Sequence, residues 1–273
     1  MRLGRSRRST NVVDARGRAG GPGRKAAIGC GPLLIVGLLA LVFGADPSQV
    51  LQLLGESGQS TAQVEPGASG APQDQAGDFI AAVLGETEDV WREVYPAATG
   101  QPYREARLVL FERVYPTACG TGTAATGPFY CPLDETVYLD LSFFNQLARM
   151  GGQGDFAAAY VVAHEVGHHV QHLTGVLGQT QRFRNDSRVS VAVELQADCY
   201  AGVWAHHADR QRDVLDESDI QEGMNAAAAV GDDAIRGGAV RKDDLSHGTS
   251  EMRVSWFLRG FRSGDMRACD TFG

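Results

Sequence analysis

Apolar positions along the chain fall into three regimes. Residues 26–45 (AAIGCGPLLIVGLLALVFGA) form an uninterrupted uncharged run. Residues 55–77 hold no aromatic residue and, alanines aside, one aliphatic residue, Val64. From Phe79 onward apolar residues recur with helical or alternating spacing. Recurrence every three or four residues marks one face of a helix, and strict alternation marks a half-buried strand. Phe79 to Tyr95 therefore reads as an amphipathic helix. Ala106–Glu112 and Thr136–Leu141 read as strands, the second leading into a helix from about Ser142 to Arg149. A helix of about twenty residues is expected between Gly154 and Gly175, which supply its start and stop. Further helices are expected around 187–210, 216–231 and 249–261. No internal repeat is found. The fold class is α+β, mostly helical with a small sheet.

The apolar run changes the picture of domain organisation. Twenty residues in a helix span about 30 Å, the thickness of a bilayer core. Residues 1–25 carry eight Lys or Arg and one acid, Asp14, leaving 17 basic against 32 acidic residues elsewhere, a net of −15. Basic residues before an apolar span favour a cytoplasmic N-terminus. The expected organisation is a basic cytoplasmic arm (1–25), a transmembrane helix (26–45), a flexible linker (46–78) and one outer domain (79–273). The linker is too poor in apolar residues to order itself. A cleaved signal peptide is disfavoured, because cleavage after Ala45 would put bulky Phe43 at the −3 position. A lipoprotein anchor fails because Cys30 precedes the apolar core. The acidic outer domain has no electrostatic case for binding nucleic acid.

Within the 154–175 helix stands His164-Glu165-Val166-Gly167-His168, an HExxH motif. Residues four apart lie nearly above one another, about 6 Å along the axis. Both imidazoles can reach one Zn²⁺ at about 2.1 Å, and Glu165 can reach a water on it. A catalytic zinc site takes three protein ligands and keeps one position open. Downstream, Glu194 and Asp198 are again four apart. Glu194 is the candidate third ligand. Asp198 would accept a hydrogen bond from His164 or His168, fixing the tautomer of a ligand imidazole. Other ligand schemes fail on spacing. HExxHxxGxxH would need glycine and histidine where the chain has Gln171 and Thr174. His172 shares a face with His164 but stands about 12 Å from it along the axis. His169 points elsewhere, and His206 and His207 lie about three turns beyond Glu194.

HExxH with ExxxD resembles the gluzincin class of zinc peptidases, and that resemblance assigns Asp198 to His164. More specifically, residues 79–273 resemble the bacterial neutral zinc metallopeptidases called YpfJ-like. The resemblance is carried by CGTGTAATGPFYCPLDETVYLDLSFF (119–144), AHEVGHHVQ (163–171), ELQADCYAGVWAH (194–206), HGTSEMRVSWFLRGF (247–261) and ACDTF near the end. It implies a zincin-like, membrane-anchored metalloprotein holding one Zn²⁺ ion. Met252 departs from the familiar pattern, where glutamine is commoner. It carries no functional weight.

Outside the apolar run four cysteines remain, Cys119, Cys131, Cys199 and Cys269. In an oxidising compartment an even number suggests two disulfides with three possible connectivities. Cys119–Cys131 would close a Gly- and Thr-rich loop, and Cys199–Cys269 would tie the C-terminus to the Glu194 helix. Four free thiols are the alternative.

The expected chemistry is metal-assisted peptide hydrolysis, with Glu165 taking a proton from water and passing it to the leaving amine. The developing oxyanion needs a further donor. His247 is the candidate, helped by Arg253, with Tyr138 and Tyr200 behind them. A helix cap and a salt bridge are the structural alternatives for the first two. Val137–Leu141 is the candidate strand for a peptide or protein substrate, beside the alternative of a plain core strand. Two further readings are a non-catalytic zinc-stabilised peptide-binding module and a zinc hydrolase of a cell-wall amide.

Overall fold

Residues 1–17, 72, 74–183 and 185–272 are described by the computed structural model. The apolar run 26–45 and linker residues 46–71 lie outside them. No described helix is long and apolar enough to cross a membrane. Asp74 starts helix α1, Gln75–Thr99, by accepting a hydrogen bond from the Gly77 amide, and Gly100 ends it in the left-handed conformation at φ 72°. Capping by Asp74 draws residues 75–78, expected as linker, into the helix.

Strands β1 (Val12–Asp14), β2 (Arg107–Phe111), β5 (Phe129–Cys131) and β6 (Thr136–Asp140) form one sheet in the order β1-β2-β6-β5. The first three in that order are parallel, and β5 runs antiparallel to β6. Strands β3 (Val114–Thr117) and β4 (Gly120–Thr123) make a separate hairpin. Strand β6 contains most of the segment expected to offer an edge to a peptide. It is an interior strand, because β5 covers its second edge.

The helices that follow are α2 (Ser142–Arg149), α3 (Asp155–Leu173), α4 (Val176–Thr180), α5 (Ser187–Arg212), α6 (Glu217–Ala229), α7 (Asp232–Arg236) and α8 (Ser250–Ser263). Helix α3 is the central element, packed against α1, α5 and α6. Trp91, Phe156, Tyr160, Trp204 and Phe257 are fully buried and fill the space between these helices. Helices α5 and α8 cross with glycine facing backbone on both sides. A Cβ on Gly202 would sit 2.0 Å from the Phe257 carbonyl oxygen, and one on Gly260 would sit 1.9 Å from that of Cys199.

Residues 1–17, expected within a basic arm apart from the outer domain, do not stand apart from it. They build onto the domain, with Val12 paired to Leu108 and Asp14 to Leu110. The reason lies in charge and burial together. Glu88 of α1 is almost fully buried. It receives Arg7 Nη2 at 2.5 Å and Asn11 Nδ2 at 2.8 Å. A buried carboxylate without partners costs several kcal/mol, on the order of 3–5 when one partner is removed. Arg2 pairs with Asp213, Arg8 with Asp78, and Arg16 with Asp14 and Asp74. The basic segment thus answers acids of the domain, and the Arg16–Asp74 pair at 2.8 Å joins the two ends of the stretch outside the described residues.

Gly202→Ala is expected to lower stability by about 1–3 kcal/mol, since the helix backbones must separate. Gly178→Ala in α4, where a Cβ meets nothing within 4 Å, is expected to be neutral or stabilising by up to about 1 kcal/mol. Chemical denaturation of both variants checks the pair.

Candidate metal centre

The apolar run before the HExxH motif carries α3 through the core, so its polar residues sit in a dry setting. His164 is 6 % exposed and Glu165 7 %. The two imidazoles stack edge to face with centroids 4.8 Å apart. Helix α5 crosses them with Glu194 and Asp198 one turn apart on the facing side. Small residues permit this approach: a Cβ on Gly167 would lie 2.9 Å from the Ala197 carbonyl oxygen and 3.1 Å from its Cα.

Donor atoms from His164, His168 and Glu194 all lie within 4.8 Å of one another. His164 Nε2 is 3.3 Å from Glu194 Oε2, and His168 Nε2 is 3.6 Å from Glu194 Oε1. Ligands at about 2.0–2.1 Å from a tetrahedral zinc are separated by about 3.3–3.4 Å. The donor set therefore fits Zn²⁺ in chemistry and spacing.

Each imidazole is held from behind. His164 Nδ1 lies 2.8 Å from Asp198 Oδ1, the pairing implied by the gluzincin resemblance. His168 Nδ1 lies 2.8 Å from Gln171 Oε1. Asp198 is fully buried and also accepts from the Tyr160 hydroxyl, from Arg253 Nε at 2.8 Å and from Arg253 Nη2 at 2.9 Å. Arg253 is 3 % exposed, and its third nitrogen donates to the Val230 carbonyl at 3.2 Å. The arginine expected to help an oxyanion is instead committed to a two-pronged grip on Asp198, because a carboxylate so deeply buried needs a neutralising partner.

The electrostatics favour a cation between the three donors. Burial pushes the Asp198 carboxyl up, but Arg253 and His164 outweigh it and hold it ionised below the usual range. Burial pushes the His164 imidazole down, yet Asp198 and Glu194 raise it overall to about 9. Burial also works against ionised Glu194, which the His164 hydrogen bond and the charges of His168 and His247 keep well below its ordinary value. Glu165 goes the other way: burial raises its carboxyl, only partly offset by His168 and His164. The two carboxyls are thus driven apart, Glu194 toward the ionised form and Glu165 toward the protonated one.

His247 stands about one-third exposed, with Nδ1 2.9 Å from Ser246 Oγ and 3.4 Å from Asp232 Oδ1. Asp232 is nearly fully buried at the start of α7 and accepts the backbone amides of Ser246, His247 and Gly248 at 2.8–3.0 Å. His247 does not cap α8; Thr249 does. Tyr138 gives its hydroxyl to Asp134, and Tyr200 packs edge-on against Trp91. His206 and His207 bond to the carbonyls of Phe261 and Gly264, and His169 to Tyr130 and the Arg104 carbonyl. His172 lies 3.4 Å from Glu135. Disulfides join Cys119 to Cys131 and Cys199 to Cys269. Sequence reasoning missed Gln171, Tyr160 and Asp232. Gln171 left a signal, its spacing of three from His168 on one helix. Tyr160 and Asp232 left none that short-range patterns could carry.

No solved structure matches the chain significantly. The uncharacterised protein YpfJ of Escherichia coli strain K12 is 42% identical over 291 residues, covering 100% of this chain and 99% of the relative. An uncharacterised protein of Mycobacterium tuberculosis strain H37Rv is 39% identical over 255 residues, 85% of either chain. A family model described as "Putative neutral zinc metallopeptidase" matches residues 1–272. With the candidate donor set, its supporting carboxylate and these matches in agreement, the chain belongs to that zinc metallopeptidase family.

Proposed function

We propose that the domain hydrolyses peptide bonds, holding one Zn²⁺ through His164, His168 and Glu194 and using Glu165 as general base. The observation that carries this reading is the pairing of three convergent donors with a separate buried carboxyl whose proton affinity is raised. Bound Zn²⁺ supplies Lewis acidity toward a carbonyl and lowers the pKa of a water from about 15.7 towards 7. Glu165 accepts the proton of the attacking water and returns it to the leaving amine. His247, its Nδ1 side facing Asp232 and Ser246, presents Nε2 to the developing oxyanion. Arg253 acts one step back, through Asp198. An extended peptide or protein segment would lie along β5, an edge strand that packs against α3 through Tyr130 and His169, since strand addition satisfies a peptide backbone. Residues 26–45 are the proposed membrane attachment, and the two disulfides support a domain outside the cytoplasm.

Glu165→Gln is expected to keep zinc at one ion per chain by metal analysis while hydrolysis of unfolded protein substrates falls by at least about 10²–10⁴. Retained hydrolysis would remove Glu165 from the chemistry. Cleavage confined to cell-wall fragments would redirect the substrate assignment. Chelation should abolish activity, and added zinc should restore it. Arg253→Leu is expected to destabilise the zinc-free protein by about 3–5 kcal/mol, because Asp198 is left charged in the core. A variant of normal stability that loses only turnover would instead place Arg253 against the substrate.

A further inference from the structure

The support behind His164 is a carboxylate, but the support behind His168 is a chain of neutral amides that runs out of the site. His168 Nδ1 meets Gln171 Oε1 at 2.8 Å. Gln171 Nε2 donates to the Val193 carbonyl at 2.8 Å and to Gln196 Oε1 at 3.0 Å. Gln196 Nε2 donates to the Cys269 carbonyl at 2.9 Å. Gln171 is fully buried and Gln196 nearly so, so water does not readily substitute for a lost partner.

A backbone carbonyl can only accept, which fixes the direction of every bond in the series. The Cys269 carbonyl requires the NH₂ end of Gln196, which turns Gln196 Oε1 toward Gln171. The Val193 carbonyl and Gln196 Oε1 together require the NH₂ end of Gln171, which leaves its Oε1 facing His168. An oxygen there requires a proton on His168 Nδ1, and the neutral ring then carries its lone pair on Nε2, the atom 3.6 Å from Glu194. Cys269 is itself held to α5 by the disulfide with Cys199, the residue after Asp198.

We infer that Gln171 and Gln196 are positioning residues that set the metal-binding tautomer of His168, with the disulfide-held Cys269 carbonyl as the fixed end of the relay. The inference rests on His168 being a zinc ligand. It assigns the C-terminal turn a role at the metal centre although it contributes no ligand. It also makes zinc affinity dependent on the Cys199–Cys269 bond. The arrangement adds no charge: one imidazole is backed by an anion and the other by amides.

The test uses the full-length chain in detergent. Zinc affinity is measured by competition with a chromophoric chelator, and histidine tautomers are read by ¹⁵N NMR on the zinc-free protein. Gln171→Leu should weaken zinc binding about ten- to a hundredfold and convert His168 from a single Nδ1–H tautomer to a mixture, with His164 unchanged. Gln171→Glu still offers an acceptor and should retain the tautomer. Gln196→Leu and the paired Cys199→Ser, Cys269→Ser variant should each weaken zinc binding several-fold. Combined, they should be no worse than the stronger of the two. Should Gln171→Leu fold poorly, Gln196→Leu carries the same tautomer measurement. An unchanged His168 tautomer in both glutamine variants, or fully additive losses in the combined variant, overturns the relay. If the wild-type chain takes up no zinc, the hydrolase reading fails on its own, while the zinc-free spectra still decide the relay.

Discussion

Contact between α3 and α5 at Gly167 and Ala197 is the constraint on which the site depends. Zinc-ligand geometry tolerates little error, on the order of a few tenths of an ångström. Two helices bearing ordinary side chains pack about 8–10 Å apart. Here a residue without a Cβ faces an alanine backbone so closely that a Cβ would come within 2.9 Å of its carbonyl oxygen. That closeness lets a carboxylate as short as Asp198 touch an imidazole on the next helix, and lets Glu194 stand between both histidines. The second variable position of the HExxH motif is therefore under as much geometric demand in this chain as its named residues. The α5–α8 crossing at Gly202 and Gly260 repeats the device and brings Arg253 within reach of the same aspartate.

Close packing creates the electrostatic problem that the polar residues solve. Asp198 is fully buried, a location that would protonate an isolated carboxyl. Tyr160 and His164 from α3 and Arg253 from α8 surround it with donors. A buried ion pair of this kind contributes little to net stability relative to apolar packing, but it is costly to break and admits few alternative arrangements. The site thus gains a rigid imidazole at the expense of strong sensitivity to any one member of the cluster.

What the sequence made legible was what short-range periodicity can express. HExxH and ExxxD are four-residue spacings on helices, so the convergence of their side chains could be read before any fold was known. The six helices expected from periodicity were recovered to within about four residues at each end, whereas α4 and α7, five residues each, are too short for periodicity to register. Strands β1 and β5 are three residues long, too short for alternation to register. Arg253 stood open between an oxyanion donor and a salt bridge, because sequence spacing from His247 was the only relation available. Its actual partner stands 55 positions away. The basic N-terminal segment was legible as charge, but charge alone did not show that its arginines pair with acids of the domain.

That segment has a topological consequence. Residues on either side of 18–71 share an ion pair, Arg16 with Asp74, and a common sheet through β1 and β2. The described chain thus returns to its own start. Loss of residues 1–17 would strip β2 of its outer partner and leave buried Glu88 without Arg7 and Asn11.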